Sequence, residues 1–242
     1  MRNRIVILMA VAVLMITACK RRPEQDKNVI DKPNIEIKDG KLSPEALWSF
    51  GRIGEVSVSP DGKKVLYTLT YYSISENKGN AEIYTMNIDG SDVQRLTTTA
   101  SSEWNVIWNP KGDKIGFIYA DENGVNIYEM NPDGTGRKAI SDLKEGDLEG
   151  FSYSPDGTKV VYVRAVPKQD KYAKLKEGLD KTTGRINDDL AYRHWDNWVD
   201  AIPQPFVADF DGKKIGEGKN ILENTEFESP MRPRGGMEQI TW

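Results

Sequence analysis

The chain has 242 residues, with 33 basic against 37 acidic side chains and a formal net charge of −4. Cys19 is its only cysteine and His194 its only histidine, which excludes an intramolecular disulfide framework, a zinc site built on two or more thiolates, and the histidine-rich sites of catalytic zinc and copper proteins. The slightly acidic balance lacks the clustered basic excess that binding nucleic-acid phosphates requires, and 38% hydrophobic with 29% charged residues is a globular composition, not a disordered one.

Arg2 and Arg4 give a positive start, and Ile5 to Ala18 is apolar except for Thr17, a run too short to span a bilayer comfortably. The pattern predicts a secretion signal over residues 1–18. Ile16-Thr17-Ala18-Cys19 resembles the lipobox of bacterial lipoproteins. That resemblance implies cleavage before Cys19, acylation of its thiol, and a lipid-anchored protein facing the periplasm, at the outer rather than the inner membrane. The other reading is an ordinary signal peptide that happens to hold a cysteine. Residues 19–40 are polar from Lys20 onward, with prolines at 23 and 33, and are expected to form a flexible tether.

From there the chain repeats itself. Ser59-Pro60-Asp61-Gly62, Asn109-Pro110-Lys111-Gly112 and Ser154-Pro155-Asp156-Gly157 recur with prolines 50 and 45 residues apart. Each follows an alternating stretch (Val56 and Val58; Val106 and Trp108; Phe151 and Tyr153) and precedes a β-rich run such as Val65-Leu66-Tyr67-Thr68. Proline sets φ for the first corner of a type I turn and glycine takes the positive φ that re-aims the chain, so each copy predicts strand, turn, strand. Between the copies, Ile83-Tyr84-Thr85-Met86-Asn87-Ile88-Asp89-Gly90 matches Ile127-Tyr128-Glu129-Met130-Asn131-Pro132-Asp133-Gly134 at a displacement of 44, again strand and Asp-Gly turn. Four short strands in that period are the content of a β-propeller blade. The pattern resembles the propeller repeats of TolB-like proteins and of the prolyl oligopeptidase family.

The fold class expected is therefore all-β, a partial propeller over 41–242 with blades at about 56–97, 104–141 and 150–222. In the third blade Gly212 lies 78 residues after Gly134 rather than 44, which predicts a 34-residue insertion near 167–200. Residues 237–242, ending in Trp242 where Trp108 and Tyr153 stand in earlier copies, read as the first strand of a fourth blade. A propeller closes with four to eight blades, so three and a strand predict an open arc and the N-terminal segment of a longer protein.

Only the insertion is unexplained by the repeat. Its charges balance, seven basic against seven acidic, and Arg193-His194-Trp195-Asp196-Asn197-Trp198 concentrates aromatics with the single histidine. Arg193 and Asp196 either hold a peptide terminus or form a local ion pair; His194 is either substrate-facing or simply packed; Trp195 and Trp198 share a packing face if the piece is helical. This stretch, with Leu179 to Arg185, Ile202 to Phe206 and Ser229 to Gly236 around it, is similar to the R-H-W-D-x-W region of prolyl oligopeptidase-family propellers, in the dipeptidyl-peptidase and acylaminoacyl-peptidase branches.

The resemblance implies a propeller that screens and helps bind a peptide substrate for a C-terminal α/β-hydrolase domain carrying a serine triad. No G-x-S-x-G nucleophile elbow occurs in the chain, so no catalytic residue is assigned and the segment alone is expected to be inactive. The candidate contacts to substrate or partner domain are Arg193, His194, Asp196 and Trp198. No cofactor and no metal is expected: Asp209 to Gly212 suggests calcium but lacks the other ligands of such a loop and coincides with a blade turn. Two rival readings are a TolB-like binding or scaffold lipoprotein without catalysis, and a split or truncated reading frame whose product is unstable.

Overall fold

The computed structural model describes residues 29–242 except 144–146, 169–171, 173–174, 176, 180, 185, 187–192, 195–196 and 233; of Lys38, Arg193, His194 and Asn197 it describes the backbone. Three four-stranded antiparallel sheets follow one another along the chain. The first holds β1 (Arg52–Val58), β2 (Lys64–Ser73), β3 (Lys78–Asn87) and β4 (Gln94–Arg95); the second β5 (Glu103–Trp108), β6 (Ile115–Asp121), β7 (Gly124–Met130) and β8 (Lys138–Ala139). The third holds β9 (Leu148–Tyr153), β10 (Lys159–Pro167), β13 (Ala201–Asp209) and β14 (Lys219–Asn220), while β11 (Arg193–His194) and β12 (Asn197–Trp198) pair only with each other inside the insertion. These are the three expected blades, open and unclosed, and the insertion runs from the end of β10 to the start of β13.

The blades stack through their faces. Leu66 and Ile83 of the first pack against Val106, Trp108, Ile115, Phe117, Tyr128 and Met130 of the second. Ile118, Ile127 and Ile140 of the second pack against Phe151, Tyr153, Val160, Tyr162 and Ala208 of the third. Phe117 and Ile118, adjacent in β6, thus bury opposite faces of one sheet, which is why this strand reads as an unbroken apolar run. Each such side chain removed from water contributes about 1.5–3 kcal/mol. β1 is the contrast: Ile53, Val56 and Val58 are exposed, because among the described residues no sheet covers that side of the first blade.

Side chains at bulges stitch the first strands together. Glu55, at the bulge in β1, accepts hydrogen bonds from the amides of Asn105 (2.8 Å) and Val106 (2.9 Å). Asn105, five residues before its turn proline as Glu55 is before Pro60, does the same for the next sheet: its oxygen accepts from the Phe151 amide at 2.8 Å and its nitrogen donates to the Phe151 carbonyl at 3.0 Å. Asn105 has φ +51°, a conformation asparagine tolerates better than most residues. The third blade has Gly150 here, where a Cβ would lie 2.6 Å from Asn105 Oδ1 and also strike the Met237 side chain.

The turns obey the expected chemistry. Gly62, Gly112 and Gly157 have φ near +70° (71°, 73° and 68°). Ser59 and Ser154 each donate to the turn aspartate at 2.6 Å and accept from the amide of the first residue of the next strand at 2.9 Å. Asn109 replaces serine in the second copy, its oxygen accepting from the Asp113 and Lys114 amides. These hydrogen bonds pull Asp61 and Asp156 below the ordinary carboxyl range, Asp156 to about 2. The oxygen of Asp211 accepts from the Lys213 and Lys214 amides at 2.7 Å, as a turn residue does, and Asp209 pairs with Lys159.

Two expectations need correction. The tether ends earlier than Gly40: Ile30 is buried and Asp31 pairs with Arg95, because an apolar side chain and a carboxylate find partners on the first blade. Residues 237–242 form no strand; Met237–Gln239 is a 3-10 turn lying over Gly150. A blade's first strand pairs with its second, and among the described residues nothing offers that partner. In the insertion, Arg193–His194 and Asn197–Trp198 are short strands paired with each other, so the helical case in which Trp195 and Trp198 would share a face does not apply to Trp198.

Candidate functional site

The β2–β3, β6–β7 and β10–β13 hairpins leave their sheets on one rim of the arc, opposite the proline-glycine turns. On the third blade this hairpin is the insertion. β10 and β13 pair along their full length, Lys159 opposite Asp209 through Pro167 opposite Ala201, and the Lys168 amide closes the neck on the Asp200 carbonyl at 2.8 Å. The insertion is therefore a lengthened hairpin loop rooted in a rigid ladder. Within it Arg193 faces Trp198 and His194 faces Asn197 across an antiparallel pair. Trp198 is half-buried and takes part in further contacts. The structure thus brings Arg193, His194 and Trp198 together at backbone level, while Asp196, Trp195 and the lipid-attachment candidate Cys19 lie outside the described residues.

The same rim carries a buried charge network that sequence reasoning missed. Arg95 bonds Asp31 at one end and Glu82, 3.2 Å away, at the other; Glu82 Oε1 accepts from the Thr99 amide at 2.9 Å. The Thr99 hydroxyl donates to Glu103 Oε1 at 2.8 Å, Thr97 donates to Oε2 at 3.1 Å, and Arg137 donates to Oε1 at 2.9 Å. Arg137 in turn lies 3.9 Å from the centre of the Tyr119 ring and 5.0 Å from that of Phe117. Burial, reinforced by the nearby Glu82 charge and opposed by Arg137 and Thr99, pushes the Glu103 carboxyl up to about 7. With its side chain fully enclosed, Glu103 cannot reach a substrate. Its role is to join the first two blades.

Glu82 has counterparts. Asn126, 44 residues on, and Gln204, 78 residues beyond Asn126, occupy its repeat position, and all three hold the loop after the fourth strand. Asn126 accepts from the Leu143 amide and the Ser141 hydroxyl at 2.8 Å; Gln204 accepts from Asn220 at 2.7 Å and donates to the Phe227 carbonyl at 3.0 Å. A polar residue recurring in register within an otherwise apolar strand was the signal available in the sequence. One residue on, the Ile83 and Ile127 amides donate to Thr97 and Ser141 hydroxyls, each at 2.9 Å. The third blade has Pro205, which carries no N–H, and Leu222 where the hydroxyl would be.

A sequence profile of the TolB beta propeller domain matches residues 42–194. Dipeptidyl-peptidase 5 of Porphyromonas gingivalis is 37% identical over 201 residues, 83% of this chain and 29% of that protein. The enzyme of the same name from Porphyromonas endodontalis is 34% identical over 199 residues, 82% of this chain and 29% of its own length. The chain thus spans less than a third of the length of either of these two relatives. Among solved structures, an acylaminoacyl peptidase from Pyrococcus horikoshii aligns over 72% of this chain and 26% of its own, at 16% identity and a TM-score of 0.54, a likeness of fold. The repeats, the stacked four-stranded sheets and the profile agree, and the chain belongs to the TolB β-propeller domain family, as a propeller segment related to dipeptidyl-peptidase 5.

Proposed function

We propose that this chain is the N-terminal propeller portion of a serine peptidase of the prolyl oligopeptidase family, admitting and helping to bind peptides for an α/β-hydrolase domain encoded beyond residue 242. The observation that carries the reading is the 37% identity to dipeptidyl-peptidase 5 over 201 residues, a longer match than the TolB profile's span of 42–194, so the likeness is not confined to what any such propeller shares. A hairpin loop enlarged on one blade, rich in aromatic and charged residues and rooted in a nine-residue ladder, is a suitable place to touch a peptide or the neighbouring domain. Arg193, His194, Asp196 and Trp198 are the residues proposed for that contact. The lipid anchor at Cys19 and a periplasm-facing position complete the proposal and rest on the lipobox resemblance.

The test is to translate the coding sequence past Trp242 in all three frames and to assay the full product on dipeptidyl chromogenic substrates. A Gly-x-Ser-x-Gly motif after further blades, with activity abolished by replacing its serine, supports the reading. Further blades followed by a stop, with no such motif, would replace it with a binding propeller. Labelling of cells with a radioactive fatty acid tests the anchor separately: label in the wild type and none in Cys19→Ser is the expected result.

A further inference from the structure

Beside the first blade, the arm around Ile30, helix α1 (Pro44–Ser49) and the end of the β2–β3 hairpin enclose a cavity of about 390 Å³. That volume lies in the range of small-ligand sites, about 300–1,000 Å³. Its apolar wall comes from the arm, with Ile30 and Ile35, and from Trp48 of α1 and Tyr72 of β2. Those two rings meet edge-on at 5.2 Å, and the chain's own Arg52 guanidinium lies 5.5 Å from the Trp48 centre and 5.8 Å from the Tyr72 centre.

The charged residues among the described lining have one sign, with Arg52 standing outside the lining beside Trp48 and Tyr72. Three separate segments contribute carboxylates, Asp31, Glu45 and Glu76, and no lysine, arginine or histidine is among the described lining residues. Asp31 is committed to Arg95, which leaves Glu45 and Glu76 to supply the remaining negative charge. Hydrogen bonds from its own amide and from Ser43 hold the Glu45 carboxyl below its ordinary range, so it is anionic at neutral pH. An anionic ligand would meet like charges here, and a neutral apolar one would desolvate carboxylates without compensation. A cation on an aliphatic stem suits both the wall and the charge.

We propose that this cavity binds the basic side chain of an extended peptide, arginine or lysine, with the stem against Ile30, Ile35 and Trp48 and the charged head toward Glu45 and Glu76. The proposal is built on residues of this chain alone, so it stands or falls apart from the peptidase reading.

The experiment titrates the 242-residue chain into fluorescein-labelled Ala-Ala-Arg-Ala-Ala and into the same peptide with citrulline, which keeps the shape and removes the charge, reading fluorescence polarisation at low salt. The arginine peptide should bind about tenfold more tightly than the citrulline peptide, the scale of two partly exposed charge contacts. Glu45→Gln with Glu76→Gln should bring the arginine peptide down to the citrulline level, and Trp48→Ala should weaken both peptides, with the urea unfolding midpoint of each variant reporting that it is folded. Equal binding of the two peptides, an affinity untouched by the double substitution, or no saturation below about 1 mM would overturn the proposal.

Discussion

Replacing Glu103 by glutamine should change how the protein's stability responds to pH, and by a calculable amount. In the folded chain burial pushes the Glu103 carboxyl up to about 7; in the unfolded chain it returns to its ordinary value of 4.5. Between those values the native state holds a proton that the unfolded state has released, so this group raises stability as pH falls and the gain is lost as pH rises through 7. At about 1.4 kcal/mol for each tenfold step, the whole excursion is about 3 kcal/mol. The side chain is fully enclosed, so solvent does not screen this away. Glutamine is neutral throughout and leaves Arg137 facing a neutral partner, as the protonated acid does. Urea unfolding followed by tryptophan fluorescence, from about pH 5 to about pH 8.5, gives both stability curves. The advantage of Glu103→Gln over the wild type should be about 3 kcal/mol larger at the alkaline end than at the acid end, other carboxyls cancelling between the two proteins. Parallel curves, differing by a constant within about 1 kcal/mol, would refute the assignment of this titration to the joint between the blades.

Pro205→Ala should cost about 1–2 kcal/mol, since it adds a backbone donor with no hydroxyl to meet it and loosens the unfolded chain; adding Leu222→Thr should recover part of that loss, as a double-mutant cycle in urea would show. Gly150→Ala should destabilise by about 1–3 kcal/mol, because its methyl group meets Asn105 and Met237, and shortening the clash with Met237→Ala should relieve some of it. Asn105→Ala removes both bonds to Phe151 and is expected to lower the urea midpoint by the equivalent of about 1–3 kcal/mol, while Asn105→Gly, which keeps the positive φ, should lose no more.

Periodicity made most of the architecture legible. The turn motifs placed the first and second strands of each sheet, and the 44-residue echo placed the third. The lengthened spacing between Gly134 and Gly212 located the insertion between Pro167 and Ala201. What the residues could not disclose depends on partners distant in the chain. Glu103 looks like a surface acid at the head of a strand until Thr97, Thr99 and Arg137 close around it. Ile30 and Asp31 sit in a polar stretch whose composition argues for a tether, yet Ile30 is buried and Asp31 pairs with Arg95 on the first blade, contacts that composition does not reveal. The final strand failed for a related reason: alternation specifies which face a residue takes, but a strand exists only with a neighbour to share its hydrogen bonds.

The stitching of the first strands also has a direction. Glu55 reaches forward to backbone that is made fifty residues later, and Asn105 reaches forward again to Phe151, so at both joints the bulge side chain of the earlier sheet holds the first strand of the next. Sheets whose contacts run only to nearest neighbours assemble by propagation. A ribosome emitting this chain would release each blade onto a seat already built, and an arc of a few blades is then a stage that every longer propeller of this design passes through on its way to closure.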